Sequence, residues 1–173
     1  MWLVMKSPYN FIVKPIEGKR YNNTKSIGGI EFVVNTSEEE ADFSNREAIV
    51  IETPLGYAGN IKPGDTLIVH HNVFKFYNDI KGNRKSGKSF FKDDLFFVDN
   101  EQFYLYKQDG VWYSHDRYCF VRPIGALDSF MDKACKNEPL MGEMVYPNDY
   151  LKSQDVKSGN RVCFSPDSEY EFI

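Results

Sequence analysis

The segment from Gly82 to Ser89 reads Gly-Asn-Arg-Lys-Ser-Gly-Lys-Ser and matches every fixed position of the phosphate-loop pattern G-x-x-x-x-G-K-S. In that motif backbone amides surround the phosphates, the lysine neutralises their charge and the serine hydroxyl binds magnesium. Farther along, Leu95 to Val98 followed by Asp99 has the form of the apolar run whose terminal Asp holds the metal. The sequence of these residues therefore matches motifs that are typical of a nucleotide-binding enzyme.

The spacing around the motif does not suit that chemistry. A phosphate loop opens a helix, because the helix N-terminus helps to bind the anion. Only five residues separate Ser89 from Leu95, whereas a crossover between parallel strands takes about a dozen residues or more. We therefore predict that Asp79 to Lys88 is the polar, basic tip of a hairpin, and we retain a phosphate-loop nucleotide-binding enzyme as the weaker alternative.

Other reactive side chains give no stronger pattern. His70 and His71 are adjacent at a strand end, and neighbouring strand residues face opposite sides, which suits one metal poorly. Asp93-Asp94 and the acidic run 38–40 are more typical of solvated charge than of acid-base pairs. No Ser-His-Asp or Cys-His arrangement has a recognisable local signature. We predict no catalytic residue, no metal site, no cofactor and no enzymatic activity.

The three cysteines, Cys119, Cys135 and Cys163, are odd in number and lack metal-type pairing. With no signal peptide in view, this usage predicts reduced thiols and a cytoplasmic protein. Cys119 and Cys163 lie in apolar runs and are predicted to be core residues. The segment Trp2 to Met5 is too short for a signal or a membrane span.

Length and composition favour a β protein with a proper core. The chain has 173 residues, of which 42% are apolar and 16% aromatic. That is enough for one domain or two small ones. The aromatic residues fall in alternating runs, which favours strands. The net charge of −4 provides no strong basic field for nucleic acid or membrane, so neither is predicted as a partner.

The stretch from Thr24 to Phe32 carries the main functional hypothesis. A polar lead-in over residues 19–24 has nothing to bury, and Gly28-Gly29 admits backbone angles closed to other residues. Ile30 and Phe32 point the same way in an extended chain. We predict that residues 19–29 are mobile and that the two apolar anchors bind a groove on another protein. The alternative is a hairpin loop leading into a core strand, Ile30 to Val34.

Strand and turn signals surround this stretch. Asp109-Gly110 between aromatic runs predicts a hairpin, and Lys62-Pro63-Gly64-Asp65 fits a type II turn. One short helix is predicted over Ala126 to Lys136. The predicted strands are Phe11 to Lys14, Ile30 to Val34, Glu47 to Glu52, Thr66 to Val69, Val73 to Tyr77, Ser89 to Val98, Gln102 to Tyr106 and Val111 to Ser114.

The order of four of these features resembles the GroES-type co-chaperonins, including the divergent ones of bacteriophages. They are the strand at Phe11 to Lys14, Thr24-Lys25-Ser26 with Gly28-Gly29-Ile30, the strand at Glu47 to Glu52, and Ile61-Lys-Pro-Gly-Asp65. The likeness fades beyond Val73.

The resemblance implies an all-β fold with a GroES-like, partly open barrel. It implies a homo-oligomeric ring, sevenfold in the family, that caps the chaperonin large subunit around an unfolded client protein, with ATP bound by the partner. It would act in the cytoplasm, that of the host if the gene is a phage's. A structural β protein of a virion is a further alternative. The residues that would contact the chaperonin are Ile27, Gly28, Gly29, Ile30, Glu31 and Phe32, with Glu31 standing where relatives carry an aliphatic residue.

Internal similarity predicts a second, shortened β module. Residues 120–124 echo residues 12–16 at an offset of 108, and residues 156–162 echo 61–67 at an offset of 95. The offset of 95 also aligns residues 144–146 with 49–51. We predict a barrel over 1–123 with the mobile loop and inserted aromatic hairpins, and a shortened repeat over 124–173 without the loop. Arg117 to Val121 could belong to either module.

Overall fold

The structure is a computed structural model that describes residues 5–22, 24–27, 30–33, 43–125 and 137–169, with only the backbone described at 25–27 and 30–33. The predicted all-β class is confirmed, since antiparallel sheets dominate. The described strands do not form a closed barrel. The chain divides into two compact units between Val111 and Trp112.

The first unit contains most of the strands. In chain order they are β1 (Phe11–Pro15), β2 (Thr24–Ile27), β3 (Ile30–Val33), β4 (Glu47–Glu52), β5 (Thr66–Val69), β6 (Phe76–Asn78), β7 (Arg84–Ser86), β8 (Phe90–Lys92), β9 (Leu95–Val98) and β10 (Phe103–Gln108), with β11 (Val111–Ser114) beginning at the division. The main sheet has the order β11-β10-β5-β4-β1-β9-β8, and β2-β3 and β6-β7 are separate two-stranded sheets. A 3-10 turn, Ile16–Gly18, follows β1.

Strand β1 is the centre of the first unit because β4 and β9 flank it on opposite edges. Phe11, Ile12 and Val13 are all buried, as expected for a strand that is covered on both faces. The ring of Phe11 makes edge-on contacts with Tyr57 and Phe103, at centroid distances of 5.0 and 5.4 Å. Offset aromatic contacts of this kind add to the stability from burial alone. The rest of the buried cluster comes from β4, β5, β9 and β10 and from three residues outside the strands, Ile61, Val73 and Phe74.

The second unit has a smaller sheet of order β12-β13-β14. Its elements are β12 (Phe120–Gly125), β13 (Asn137–Tyr146), the helix α1 (Asp149–Ser153) and β14 (Arg161–Cys163). The helix was not predicted, although its N-cap follows a known signature: the side chain of Asn148 accepts a hydrogen bond from the N–H of Leu151 at 2.9 Å. Met144 is the one apolar residue of this sheet that is fully buried among the described residues.

Strand pairing in the second unit repeats that of the first. In β1 and β4, Ile12 pairs with Glu52 and Val13 with Val50, so that one residue of β4 bulges out. In β12 and β13, Phe120 pairs with Tyr146 and Val121 with Met144, which skips one residue at the equivalent step. A bulge kept at the same step of both pairs is a structural feature rather than a chance irregularity.

The turn that follows is repeated with its hydrogen bonds. The N–H of Val50 donates to the carbonyl of Asp65 at 2.9 Å, and the N–H of Gly64 donates to the carbonyl of Val50 at 2.8 Å. Met144 makes the same two bonds with Asn160 and Gly159, at 2.8 and 2.9 Å. The side-chain oxygens of Asp65 and Asn160 each accept from the lysine N–H three residues earlier, at 2.8 and 2.7 Å. The two turns are therefore built alike.

These contacts correct one alignment made from the sequence. The β1 and β12 residues differ by 108, as predicted, and the turns differ by 95. Val50, however, corresponds to Met144, an offset of 94 rather than 95. The sequence between β4 and its turn is thus one residue longer in the second copy, which letter matching over three residues did not detect.

Unit and strand boundaries differ in places from those predicted. The unit division at Val111/Trp112 differs from the predicted boundary at residue 123, and β12 joins the second unit's sheet, so Val121 belongs there. Val73 and Phe74 lie in a turn rather than a strand, and both are fully buried. The run from Ser89 to Val98 is two strands joined at Asp93-Asp94. The predicted helix at 126–136 lies outside the described residues.

Glycine at the two repeated turns is required by the backbone. Gly64 and Gly159 have φ of +97° and +88°, and a Cβ at either would meet nothing within 4 Å. Replacing either by Ala should therefore cost about 1–2 kcal/mol of unfolding free energy through backbone strain alone, measured by urea denaturation. Gly125→Ala is the matched control, since Gly125 also has open space but no positive φ, and it should be nearly neutral. Equal losses at all three sites would contradict this account.

Candidate functional site

The predicted binding segment forms a two-stranded hairpin. Strand β2 pairs with β3 in an antiparallel register in which Thr24 lies opposite Val33 and Ile27 opposite Ile30. Ile27, Ile30, Glu31 and Phe32 therefore belong to paired strands, with Ile27 and Ile30 at the end next to the connection. Gly28 and Gly29, the two residues of that connection, lie outside the described residues, and so does Val34.

The base of this hairpin segment is held closed by backbone bonds. Tyr21 and Ser44 form an isolated antiparallel bridge. On either side of it, the N–H of Asn22 donates to the carbonyl of Phe43 at 2.7 Å, and the N–H of Asn45 donates to the carbonyl of Arg20 at 2.9 Å. The two ends of segment 23–42 are thus tied to each other. We call residues 20–22 and 43–45 the clamp.

Side chains fix the clamp to the first unit. Tyr21 is 8% exposed, and its hydroxyl accepts a hydrogen bond from the N–H of Phe76 at 2.7 Å. Ser44 donates its hydroxyl to the carbonyl of His71 at 2.6 Å. The fully buried Asn45 donates to the carbonyl of Lys19 at 2.7 Å and accepts from the N–H of Glu47 at 2.9 Å. Buried polar groups paired in this way stabilise one arrangement, because any other leaves them unsatisfied.

Arg20, the first residue of the clamp, adds a cationic contact. Its guanidinium lies over three aromatic rings, 4.1 Å from the centroid of Phe76, 4.7 Å from Phe96 and 5.1 Å from Phe90. It also donates to the hydroxyl of Ser86 at 3.0 Å. Burial lowers the pKa of Arg20 from its ordinary value. A guanidinium placed over aromatic faces is stabilised by their quadrupoles, so this residue is an anchor.

These contacts correct the prediction about residues 19–24. The sequence predicted that residues 19–24 have no side chain to bury, but Tyr21 is buried. Residues 20–22 are also hydrogen-bonded to the rest of the unit. The expectation of mobility over 19–29 is therefore wrong for its first part. Tyr21 is an aromatic residue in an otherwise polar run, and such a residue often marks an anchoring point.

The segment with the phosphate-loop pattern, Gly82–Ser89, does not form a phosphate loop. Strand β7 occupies the middle of Gly82–Ser89 and pairs with β6, with Tyr77 opposite Lys85. Asp79 and Asn83 close the tip, where the N–H of Asn83 donates to the Asp79 carboxylate at 2.8 Å and lowers its pKa. Ser89 ends a turn that leads into β8 and does not open a helix. The predicted hairpin tip is thus narrower than Asp79 to Lys88.

The two adjacent histidines lie closer than predicted. Their ring centroids are 4.0 Å apart, because His70 and His71 follow β5 in a turn and need not face opposite sides. Burial, followed by the charges of His70, Arg46 and Lys75, lowers the pKa of His71 to about 4. Burial and Arg46 lower the pKa of His70 as well. Both rings are therefore neutral at physiological pH.

The cysteines lie in a different environment from the one predicted. Cys119 and Cys163 are free and exposed, so the prediction that they are core residues is wrong. Cys163 ends β14 of the smaller sheet, and Cys119 lies just before β12 of the same sheet, which covers little apolar surface. Over the described ranges, no three His, Cys, Asp or Glu residues are placed to hold a metal ion. Cys135 lies outside those ranges.

No family model, curated protein or solved structure matches this chain. Within the part of the chain that the structure describes, no helix is both long and apolar enough to cross a membrane.

The clamp predicts a specific effect of removing one hydroxyl. Tyr21→Phe keeps the ring but leaves the N–H of Phe76 without its acceptor, which should cost about 1–3 kcal/mol. Amides of residues 24–33 should then exchange faster with solvent, as measured by hydrogen-deuterium exchange, while amides of β1 and β4 keep their protection. Tyr77→Phe is the control, because the Tyr77 side chain is 54% exposed. Unchanged exchange in Tyr21→Phe would show that the clamp does not depend on this bond.

The histidine pair predicts how stability changes with pH. The folded protein holds the pKa of His71 at about 4, below its ordinary value of 6.5, so the unfolded chain binds more protons between these values. Stability from this residue is present above pH 6.5 and is lost as the pH falls towards 4. In chemical denaturation, His71→Asn should lose less stability than the parent between pH 7 and 5. The difference between the two proteins should be constant from pH 7.5 to 9. A parallel loss below pH 7 would contradict the assignment.

Proposed function

We propose that this protein is a co-chaperonin of the GroES type, which caps a chaperonin ring and assists ATP-dependent protein folding. The observation that carries the proposal is the hairpin of β2 and β3 on the clamp. Its strands contain the tripeptide Ile30-Glu31-Phe32, which stands where the family has its apolar anchors. The proposed contact residues are Ile27, Gly28, Gly29, Ile30, Glu31 and Phe32.

The arrangement of the first unit supports this proposal. A protein that docks through a short segment needs that segment projected from a stable body. The clamp attaches the segment to such a body, because Tyr21 and Asn45 are buried and hydrogen-bonded at the two ends of the segment. The Gly64 turn feeding β5 supports it too, since this turn is among the features that carried the resemblance.

The energetics suit a lid that must be released. Burying Ile30 and Phe32 in a partner's groove would gain about 1.5–3 kcal/mol each. Ordering a disordered segment on binding typically costs about 2–5 kcal/mol. Backbone pairing between β2 and β3 lowers that cost, because part of the chain's freedom is already lost. One copy would still bind weakly, and a ring of copies would provide avidity.

The remaining parts of the proposal follow from the same role. The chain would form a homo-oligomeric ring, sevenfold as in the family, over a chamber that holds an unfolded client. ATP would be bound and hydrolysed by the chaperonin rather than by this chain. The site of action would be the cytoplasm.

A binding assay with matched variants tests the proposal. Ile30→Asp and Phe32→Asp should abolish capture of a chaperonin in the presence of ATP, because a carboxylate in an apolar groove is strongly disfavoured. Glu31→Gln is the control in the same strand and should retain capture. Circular dichroism and the size of the oligomer should be unchanged in all three.

Two outcomes would contradict the proposal. If the unmodified protein captures no chaperonin with ATP, the co-chaperonin role is wrong. If Ile30→Asp or Phe32→Asp unfolds the isolated protein, these residues belong to a core and the alternative of a hairpin loop leading into a core strand is correct.

A further inference from the structure

A basic surface cleft lies beside the β6-β7 hairpin and has no part in the proposed docking contact. It is open to solvent and has a volume of about 1210 Å³. Its lining combines two lysines, two serine hydroxyls, two amides and two aromatic rings around a glycine: Lys75, Lys88, Ser86, Ser89, Asn72, Gln102, Phe76, Tyr77 and Gly87. None of these nine residues is acidic, so the fixed charge of the lining is positive.

The hydrogen bonds inside the cleft leave its serine hydroxyls as donors. Ser86 accepts a bond from the guanidinium of Arg20 at 3.0 Å, and Ser89 accepts from the amide of Gln102 at 3.4 Å. A hydroxyl that already accepts from a donor still has its own hydrogen to give. The polar groups of the cleft are thus biased towards donation, which suits an acceptor-rich ligand such as a phosphate.

Basic side chains outside the lining also favour a negatively charged ligand. The guanidiniums of Arg20 and Arg84 lie 4.1 and 3.8 Å from the centroid of Phe76, and each repels the other. Residues 75–92 contain six basic side chains and one acidic one, Asp79, a net charge of +5. Because the net charge of the whole chain is −4, the residues outside 75–92 have a net charge of −9. The Asp79 carboxylate is occupied by N–H donors of the hairpin tip, at 2.8 and 2.9 Å.

The floor of the cleft explains why a glycine is found at its centre. The N–H of Gly87 donates to the carbonyl of Lys75 at 3.2 Å. A Cβ at position 87 would lie 3.2 Å from that same oxygen and 3.6 Å from the carbonyl of Asn72. Glycine therefore allows the segment carrying Lys88 to approach the segment carrying Lys75, which places both lysines on one cleft.

We propose that this cleft binds the phosphate group of a small phosphorylated ligand through Lys75, Lys88 and the hydroxyls of Ser86 and Ser89. Binding uses side chains from a hairpin and a turn, not the amide cradle of a phosphate loop, and no hydrolysis is involved.

The test is calorimetric titration of the full-length protein with tripolyphosphate at low salt, without magnesium. The parent should show saturable binding that weakens as salt rises. Lys88→Gln should lower the affinity about tenfold, since a hydrogen bond from a charged group is lost, and Lys88→Glu should abolish binding. Lys88 is exposed, so these variants should keep the parent's thermal unfolding curve.

The control variant is Lys81→Gln, which removes a charge from the same hairpin but lies outside the lining. It should keep the affinity within about twofold, because Lys81 makes no direct contact with a ligand in the cleft and its charge acts only through solvent. No saturable binding to the parent, or equal losses in Lys81→Gln and Lys88→Gln, would overturn the proposal. So would tighter binding of a poly-glutamate peptide than of tripolyphosphate, which would assign the surface to an acidic protein segment.

Discussion

The exchange of two backbone hydrogen bonds between a buried strand residue and a glycine turn is the constraint on which both units depend. Val50 makes this exchange with Gly64 and Asp65, and Met144 makes it with Gly159 and Asn160. Each strand residue is buried, to 1% and 2% exposure, so an unpaired N–H or carbonyl there would be costly. The bond geometry in turn requires a positive φ, which glycine supplies without steric strain. Core, bulge and turn are therefore coupled in each copy.

The two copies share this constraint but differ in what surrounds it. In the first unit, β1 is flanked by β4 and β9, and Val13 is fully buried. Its equivalent Val121 is only half-buried, and among the described strands β12 pairs with β13. Burial supplies most of the stability of a small domain. The first copy thus carries a complete core, while the second keeps the strand pairing with much less apolar cover.

Sequence reasoning succeeded where the signal was local. The hairpin at Asp109-Gly110 and the turn at Gly64 were predicted because positive φ at each leaves few choices of residue: Asp109 has φ of 48° and Gly110 of 83°. Sequence reasoning failed where tertiary contacts determine the local structure. Phe74 alternates with its neighbours like a strand residue, yet it packs from a turn against Phe96 at 4.8 Å. Five residues of α1 were too few to show a helical period.

The candidate docking site was only partly predictable for the same reason. Gly28-Gly29 and the apolar residues after it mark a tight connection, and the backbone pairing of Ile27 with Ile30 fits that signal. The clamp could not be found this way, because it joins Tyr21 to Ser44 and to Phe76, far apart in sequence. Loop length adds little to the cost of closing such a segment, since closure entropy grows only slowly with residue number. A short bonded base can therefore hold a long segment.

The phosphate-loop letters show why a motif must be judged by its structure. In a phosphate loop the glycines free backbone amides to surround an anion at a helix N-terminus. Here Gly87 serves instead to let two backbone segments approach, and Arg84 and Lys85 lie in a strand that pairs with β6. What the sequence retains in this setting is the clustering of cations, since side-chain charge does not depend on the loop's conformation. Any affinity for anions at this hairpin must therefore be a side-chain property, sensitive to salt and to single lysine substitutions, and independent of magnesium.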